Sequence, residues 1–148
     1  MASALVVYAT ITGNNEDIAD LVADALKDQG VEVEETEITM ADAADFNDVD
    51  ICVVCPYTYD EGALPDEGLD FFDDLQEEDL SGKVFGVAGS GDTVYGDDFC
   101  KAVDEFDAAF LKSGAKRAAG PVHINLAPDK DDVKTLDGFA AQLVKAMK

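Results

Sequence analysis

The stretch from Ala4 to Asn15, ALVVYATITGNN, constrains this chain more than any other. Leu5, Val6, Val7 and Tyr8 form an unbroken apolar run, the mark of a strand covered on both faces as in a parallel sheet. The run ends at Thr10, Thr12, Gly13, Asn14 and Asn15, short hydroxyl and amide side chains around one glycine, and a helix is predicted from about Glu16. A loop entering a helix N-terminus presents unpaired backbone N–H groups at the positive end of the helix dipole. Hydroxyls at Thr10 and Thr12 add donors, and Gly13 lets the backbone approach a ligand closely. The stretch matches neither G-x-x-x-x-G-K-[ST] nor G-x-G-x-x-G. Without a lysine or a Mg-binding acid it suits a phosphate that is held and never transferred. An ordinary polar strand-to-helix loop has the same composition, so the stretch alone leaves both readings open.

The chain's 148 residues, 47% hydrophobic, suffice for one well-buried α/β domain and are too few for two, so one domain over residues 1–148 is expected. No apolar run approaches membrane-spanning length, and the start MASALVV has neither a basic n-region nor a cleavage site, which predicts a soluble cytoplasmic protein. Acidic side chains number 33 against 10 basic, a net charge of −23 that makes nucleic acid and anionic membranes poor partners and favours a monomer. The acidity reads either as solubility or adaptation to high salt, or as a rim that steers the protein towards basic faces of partners at a salt-sensitive rate.

Cys52, Cys55 and Cys100 are odd in number, as in a reducing compartment. Cys52 and Cys55 have C-x-x-C spacing, but residues three apart on a strand point to opposite faces. They are predicted to be buried small residues and not a metal or redox pair.

Helix one is predicted over Glu16 to Gln29, with Ile18, Leu21, Val22, Ala25 and Leu26 inward and Gly30 as its stop. Val31 to Glu37 alternates apolar and acidic residues, which suits an exposed edge strand. After a weakly patterned segment from Met40 to Asp48, Ile51 to Cys55 reads as a second buried strand. Pro65 to Leu75 reads as a short helix, Val84 to Ala88 as a strand, and Phe99 to Ser113 as a helix with Phe99, Val103, Phe106 and Phe110 on one face and Gly114 at its end. A last strand is expected within Ala118 to Leu126, broken by Gly120 and Pro121. Pro128 and Asp129 introduce a final helix with Val133, Leu136, Phe139, Ala140, Leu143 and Met147 inward.

Strands alternating with helices in this way predict a doubly wound, five-stranded parallel sheet with helices on both faces. The edge character of the second strand favours the order 2-1-3-4-5. Ligands of such sheets bind at the carboxyl ends where the strand order reverses, so the loops Thr10 to Asn15, Pro56 to Pro65 and Gly89 to Phe99 should meet. The second contains PYTYDEGALP and the third GSGDTVYGDDF. Tyr59 and Tyr95 read singly as ordinary loop residues; taken with the first loop, they can sandwich a flat ring, with stacking worth about 1–3 kcal/mol per face. The ligand so described has an aromatic ring and a terminal phosphate. It brings its own reactivity, since these loops hold no pair of nucleophile and base. No catalytic residue and no metal ligand is assigned.

The whole chain resembles the flavodoxin family, of the short-chain type that lacks an insertion in the fifth strand. The resemblance rests on T-x-T-G-N at Thr10 to Asn14, T-Y at Thr58 and Tyr59 followed by the acids Asp60 and Glu61, and G-D-T-x-Y at Gly91 to Tyr95 with Phe99 and Cys100 after it. It implies a carrier that binds flavin mononucleotide (FMN) without covalent attachment and shuttles single electrons between basic redox partners, a flavodoxin reductase and electron acceptors. Carried over, Thr10, Ile11, Thr12, Gly13, Asn14 and Asn15 would hold the phosphate. Tyr59 and Tyr95 would stack on the ring, with Thr58, Asp60, Glu61, Ser90, Gly91 and Phe99 around it, and the backbone at Asp92 and Cys100 would meet its pyrimidine edge.

The chain departs from the family's pattern at three places. Asn15 stands where the family usually has Thr, and Tyr59 where the inner aromatic is often Trp. Asp60 stands where many members have a glycine whose peptide flips to accept a hydrogen bond from the half-reduced flavin. Glycine makes that flip cheap, and Asp tolerates positive φ better than most residues but at some cost.

Asp60, Glu61, Asp66, Glu67, Asp92, Asp97 and Asp98 should surround the exposed ring edge and oppose the charge of the fully reduced flavin. At about 10 Å and an effective dielectric near 40, each would cost roughly 0.8 kcal/mol before screening. A low-potential carrier is therefore expected. The rivals are a flavin-dependent reductase of quinones or small molecules and, among electron donors, a ribonucleotide-reductase activating flavoprotein. A phospho-receiver domain shares the strand order but needs acids after strand one, an Asp after strand three and a Lys after strand five. This chain has Ala9 and Thr10, Cys55 and Pro56, and Asn125 and Leu126 there. His123 is assigned no role.

Overall fold

The computed structural model describes residues 3–8, 14–55, 66–91, 101–119, 122–125 and 130–147. The first apolar run forms β1 (Ser3–Tyr8), flanked in parallel by β2 (Glu32–Glu37) and β3 (Ile51–Cys55). Beyond β3 lie β4 (Val84–Gly91) and then an outer strand in two pieces, β5 (Lys116–Arg117) and β6 (Val122–Asn125). β5 pairs with the start of β4 and β6 with its end, Val84 opposite Lys116 and Gly91 opposite Asn125. The order is thus 2-1-3-4-5 with the fifth strand split. Its first piece starts two residues before the expected Ala118, and Gly120 and Pro121, expected at the break, lie outside the described residues.

Alternation along the central strands divides the core. Ala4 and Val6 of β1 and Ile51, Val53 and Cys55 of β3 pack with α1 (Asn14–Asp28) and α4 (Lys130–Met147). Leu5, Val7, Cys52 and Val54 pack on the other face with α2 (Asp66–Glu77) and α3 (Lys101–Lys112). Cys52 and Cys55 accordingly lie on opposite faces of the sheet, both free and buried, as period-2 alternation requires. Burial pushes the Cys52 thiol up to about 12 and raises that of Cys55 further.

Helix ends follow their glycines. After α1, Gly30 takes φ 87°, its N–H bonds to the Lys27 carbonyl at 3.0 Å, and Val31 N–H bonds back to Leu26 at 3.2 Å. After α3, Gly114 does the same with Leu111, and Ala115 with Phe110. These double bonds close the last helical turn in the Schellman pattern, which needs a left-handed residue.

The weakly patterned segment is not a plain loop. A 3-10 turn at Ile38–Met40 leads into it and a second lies within it at Ala43–Asp48, capped reciprocally by Asp42 and Asp45. That cap aims Phe46 inward, where it is fully buried against the ring of Phe110 at 5.4 Å, which in turn stacks on Phe85 at 4.6 Å. Three expected boundaries also move. α1 begins at Asn14 and not near Glu16, α2 runs on to Glu77, and β4 continues past Ala88 to Gly91. Among the expected inward residues of α4, Leu136, Phe139, Ala140 and Leu143 are buried, while Val133 is only half-buried.

Candidate functional site

The three strands that carry the expected loops are neighbours in register. Tyr8, the last residue of β1, stands opposite Cys55, the last of β3, and Val54 stands opposite Val87 of β4. All run parallel, so the segments 9–13, 56–65 and 92–100 depart from one end of the sheet. β4 projects four residues past Val87, and its extension is paired on the outer side by β6, Ser90 with Ile124 and Gly91 with Asn125. Ser90 and Gly91, expected in a loop, therefore belong to a strand end held by backbone pairing.

α1 opens at Asn14, six residues after the end of β1, and Asn14 and Asn15 occupy its first turn. The helix is fixed against the sheet by Ile18, Ala19, Val22 and Leu26, all fully buried. Its unpaired N–H groups and positive dipole end thus sit at the carboxyl end of β1, between the departures of the neighbouring strands. Thr10, Ile11, Thr12 and Gly13 lie outside the described residues, as do Thr58, Tyr59, Asp60, Glu61, Asp92, Tyr95, Phe99 and Cys100. Asp66 and Glu67 begin α2, at the same end of the sheet as the start of α1. Among the described residues no group of three or more His, Cys, Asp or Glu is arranged to hold a metal ion, and no helix is long and apolar enough to cross a membrane.

One ionisable group was missed by sequence reading. Glu35 lies on the same face of β2 as Val33, which packs against the α1 side of the core, and partial burial together with a hydrogen bond to Asp20 pushes its pKa up to about 7. Asp20 and Asp24 of α1 add like charge and Lys27 opposes them. A glutamate on the inward phase of an alternating edge strand is the signal that could have revealed it.

The backbone N–H groups of the first turn of α1, which opens at Asn14, are donors of the kind that suits an anion. The chain also has known relatives. Residues 6–136 match the Flavodoxin family. The chain is 40% identical over 146 residues to "Probable flavodoxin 2" of Bacillus subtilis, covering 98% of this chain and 96% of that one. It is similar in structure to a short-chain flavodoxin associated with a non-canonical PDU bacterial microcompartment, with a TM-score of 0.98, 56% identity and full coverage of both chains. A Streptococcus pneumoniae TIGR4 flavodoxin superimposes with a TM-score of 0.95 at 48% identity, over 98% of this chain and 99% of that one. The chain belongs to the flavodoxin family, whose members bind FMN and pass electrons to partner proteins rather than acting as enzymes.

Proposed function

We propose that this flavodoxin is a low-potential carrier of single electrons, holding FMN across the carboxyl ends of β1, β3 and β4. FMN supplies the redox chemistry when bound; the chain's part is to bind it, orient it and set its electrostatic surroundings. In this reading Thr10 to Asn15 hold the phosphate, Tyr59 and Tyr95 stack on the ring, and Thr58, Asp60, Glu61, Ser90, Gly91, Asp92, Phe99 and Cys100 line its edge. The observation that carries the reading is the register of Tyr8 with Cys55 beside β4, together with the start of α1 at Asn14.

The low potential follows from charge. Asp66 and Glu67 open α2 at this end of the sheet, and the chain as a whole carries −23. Adding a second electron puts a negative charge where negative charges already stand, which makes that step costly. The same acids suit docking to basic faces of a reductase and of acceptors, with a rate that falls as salt rises. A monomer, folded as one domain over residues 1–148 and working in the cytoplasm, completes the reading.

Two measurements test it. Apoprotein titrated with FMN and with riboflavin should prefer FMN by about a hundredfold, since a phosphate held by several charge-assisted hydrogen bonds is worth a few kcal/mol. Equal affinity would remove the phosphate cradle. An anaerobic potentiometric titration should place the second midpoint well below that of free flavin, and a midpoint close to the free value would remove the low-potential assignment.

A further inference from the structure

At the amino-terminal ends of β4 and β5, opposite the proposed flavin site, basic side chains gather. A cavity of about 500 Å³ is lined by Lys116, Arg117, Ala118, Gln142, Lys145 and Ala146, among others. A second, of about 380 Å³, is lined by Asp50, Gly82, Lys83 and Val84 and shares Lys116 and Ala146 with the first. The two make one groove across the starts of β4 and β5 and the last turn of α4. Among the described residues four basic side chains line it, Lys83, Lys116, Arg117 and Lys145. Arg117 is engaged by Asp107, whereas Lys83, Lys116 and Lys145 form no salt bridge among the described residues.

Such a cluster runs against the rest of the molecule. With 33 acidic side chains in the chain, lysines are expected beside carboxylates, yet among the described residues Asp50 is the one acid lining this groove. Lys145 can be accounted for by the negative end of the α4 dipole. That leaves Lys83 and Lys116, which gather beside it at the strand starts. Between the cations the lining includes the small apolar side chains of Val84, Ala118 and Ala146. β5 pairs with β4 on one side only, and among the described residues no strand covers its outer edge.

We propose that this groove docks a short acidic segment of a partner protein. Cationic side chains among small apolar ones, beside an edge of β5 that no described strand covers, suit an extended peptide bearing carboxylates. The remaining surface repels such a segment, which confines it to the groove. A second copy of the chain is disfavoured as occupant by the mutual repulsion of two charges of −23. The site lies about 23 Å from the carboxyl end of β4, taking eight residues at the usual rise. A carrier held there keeps its other end free for electron exchange. The docking itself does not rest on the electron-carrier reading.

The test is a titration of the FMN-loaded, 15N-labelled full chain with a synthetic peptide of roughly a dozen alternating Glu and Ala residues. Saturable amide shifts are expected at Lys83, Lys116, Ala118 and Lys145, with Asn14 and Gly91 unmoved. Charge reversal in K116E/K145E should weaken binding about tenfold or more, and so should a rise in salt. The control K130E/K134E, which reverses two exposed lysines near the other end of α4, should stay within about twofold. If K116E/K145E fails to fold by circular dichroism, K116Q/K145Q gives the same reading. The proposal is overturned by the absence of saturable shifts, by equal weakening in K130E/K134E, by inorganic phosphate producing the same shifts at equal concentration, or by self-association that occupies the groove.

Discussion

Arg117 holds Asp107 with both arms of its guanidinium, Nε donating to Oδ1 at 3.0 Å and Nη2 donating to Oδ2. The pair joins the two-residue strand β5 to α3, and it is asymmetric: the Arg117 side chain is 44% exposed and that of Asp107 only 8%. The hydrogen bonds to Asp107 raise the Arg117 pKa and give the nearly buried carboxylate its partner.

Removing the arginine strands a nearly buried carboxylate, so Arg117→Met should destabilise the fold by about 1–2 kcal/mol, less than for a fully buried pair because one member is half in water. Asp107→Asn in the same chain should recover part of that loss, since the stranded charge is then gone. Urea denaturation at fixed FMN loading measures both. Equal stability of Arg117→Met and the parent would show that the clamp contributes nothing.

Gly86 of β4 meets the Phe139 ring of α4 where any side chain would collide. A Cβ built at Gly86 would sit 2.5 Å from Cζ and 2.8 Å from Cε2 of Phe139, which is itself almost fully buried. Gly86→Ala should therefore cost about 1–3 kcal/mol through forced repacking. Adding Phe139→Leu should return part of that stability, because the ring is the obstacle. Thermal melts of the single and double variants check this, and a double variant less stable than Gly86→Ala would contradict it.

Much of this architecture is legible in the residues themselves. β1 and β3 are apolar runs, and a sheet buried on both faces leaves them no other form. Gly30 and Gly114 sit where a left-handed residue must stop a helix. Phe46 was hidden because its burial depends on a local cap by Asp42 and Asp45, which carries no periodicity. β5 was hidden because Lys116 and Arg117 are poor strand formers; they pair because β4 supplies an edge and Asp107 holds the arginine. Of the site, the convergence of three strand ends was legible from strand order. The extension of β4 through Ser90 and Gly91 was not, because two glycines and a serine look like a turn until β6 pairs with them.

Glu35 makes stability depend on pH in a direction opposite to that of an ordinary salt-bridged acid. Its carboxyl is raised from 4.5 to about 7 in the folded chain, so folding takes up a proton between those values. Where the folded state binds more protons than the unfolded one, stability falls as pH rises. The penalty is absent below about pH 4.5 and fully developed above pH 7. Glu35→Gln should thus be more stable than the parent at pH 8, by roughly 1 kcal/mol once the partial exposure of the group is allowed for, and should lose that advantage at pH 4 to 5. Chemical denaturation across this range, read as the difference between variant and parent, separates Glu35 from the general repulsion of an acidic chain. A difference independent of pH would remove the assignment.

The proposed phosphate cradle makes a sharper prediction, because its parts can be removed without touching the ring. Thr10→Ala and Thr12→Ala delete hydroxyl donors while leaving α1, anchored by Ile18 and Val22, in place. Each lost hydrogen bond to a charged phosphate is worth about 1.5–3 kcal/mol, so each substitution should weaken FMN about tenfold or more. Riboflavin, which has no phosphate, should bind the parent and both variants alike. The ratio of the two affinities isolates the phosphate contribution from any loosening of the fold, which would lower both. Equal losses for FMN and riboflavin would mean that the two threonines support the loop and do not touch the ligand, and the hold on the phosphate would then fall to the backbone N–H groups at the start of α1.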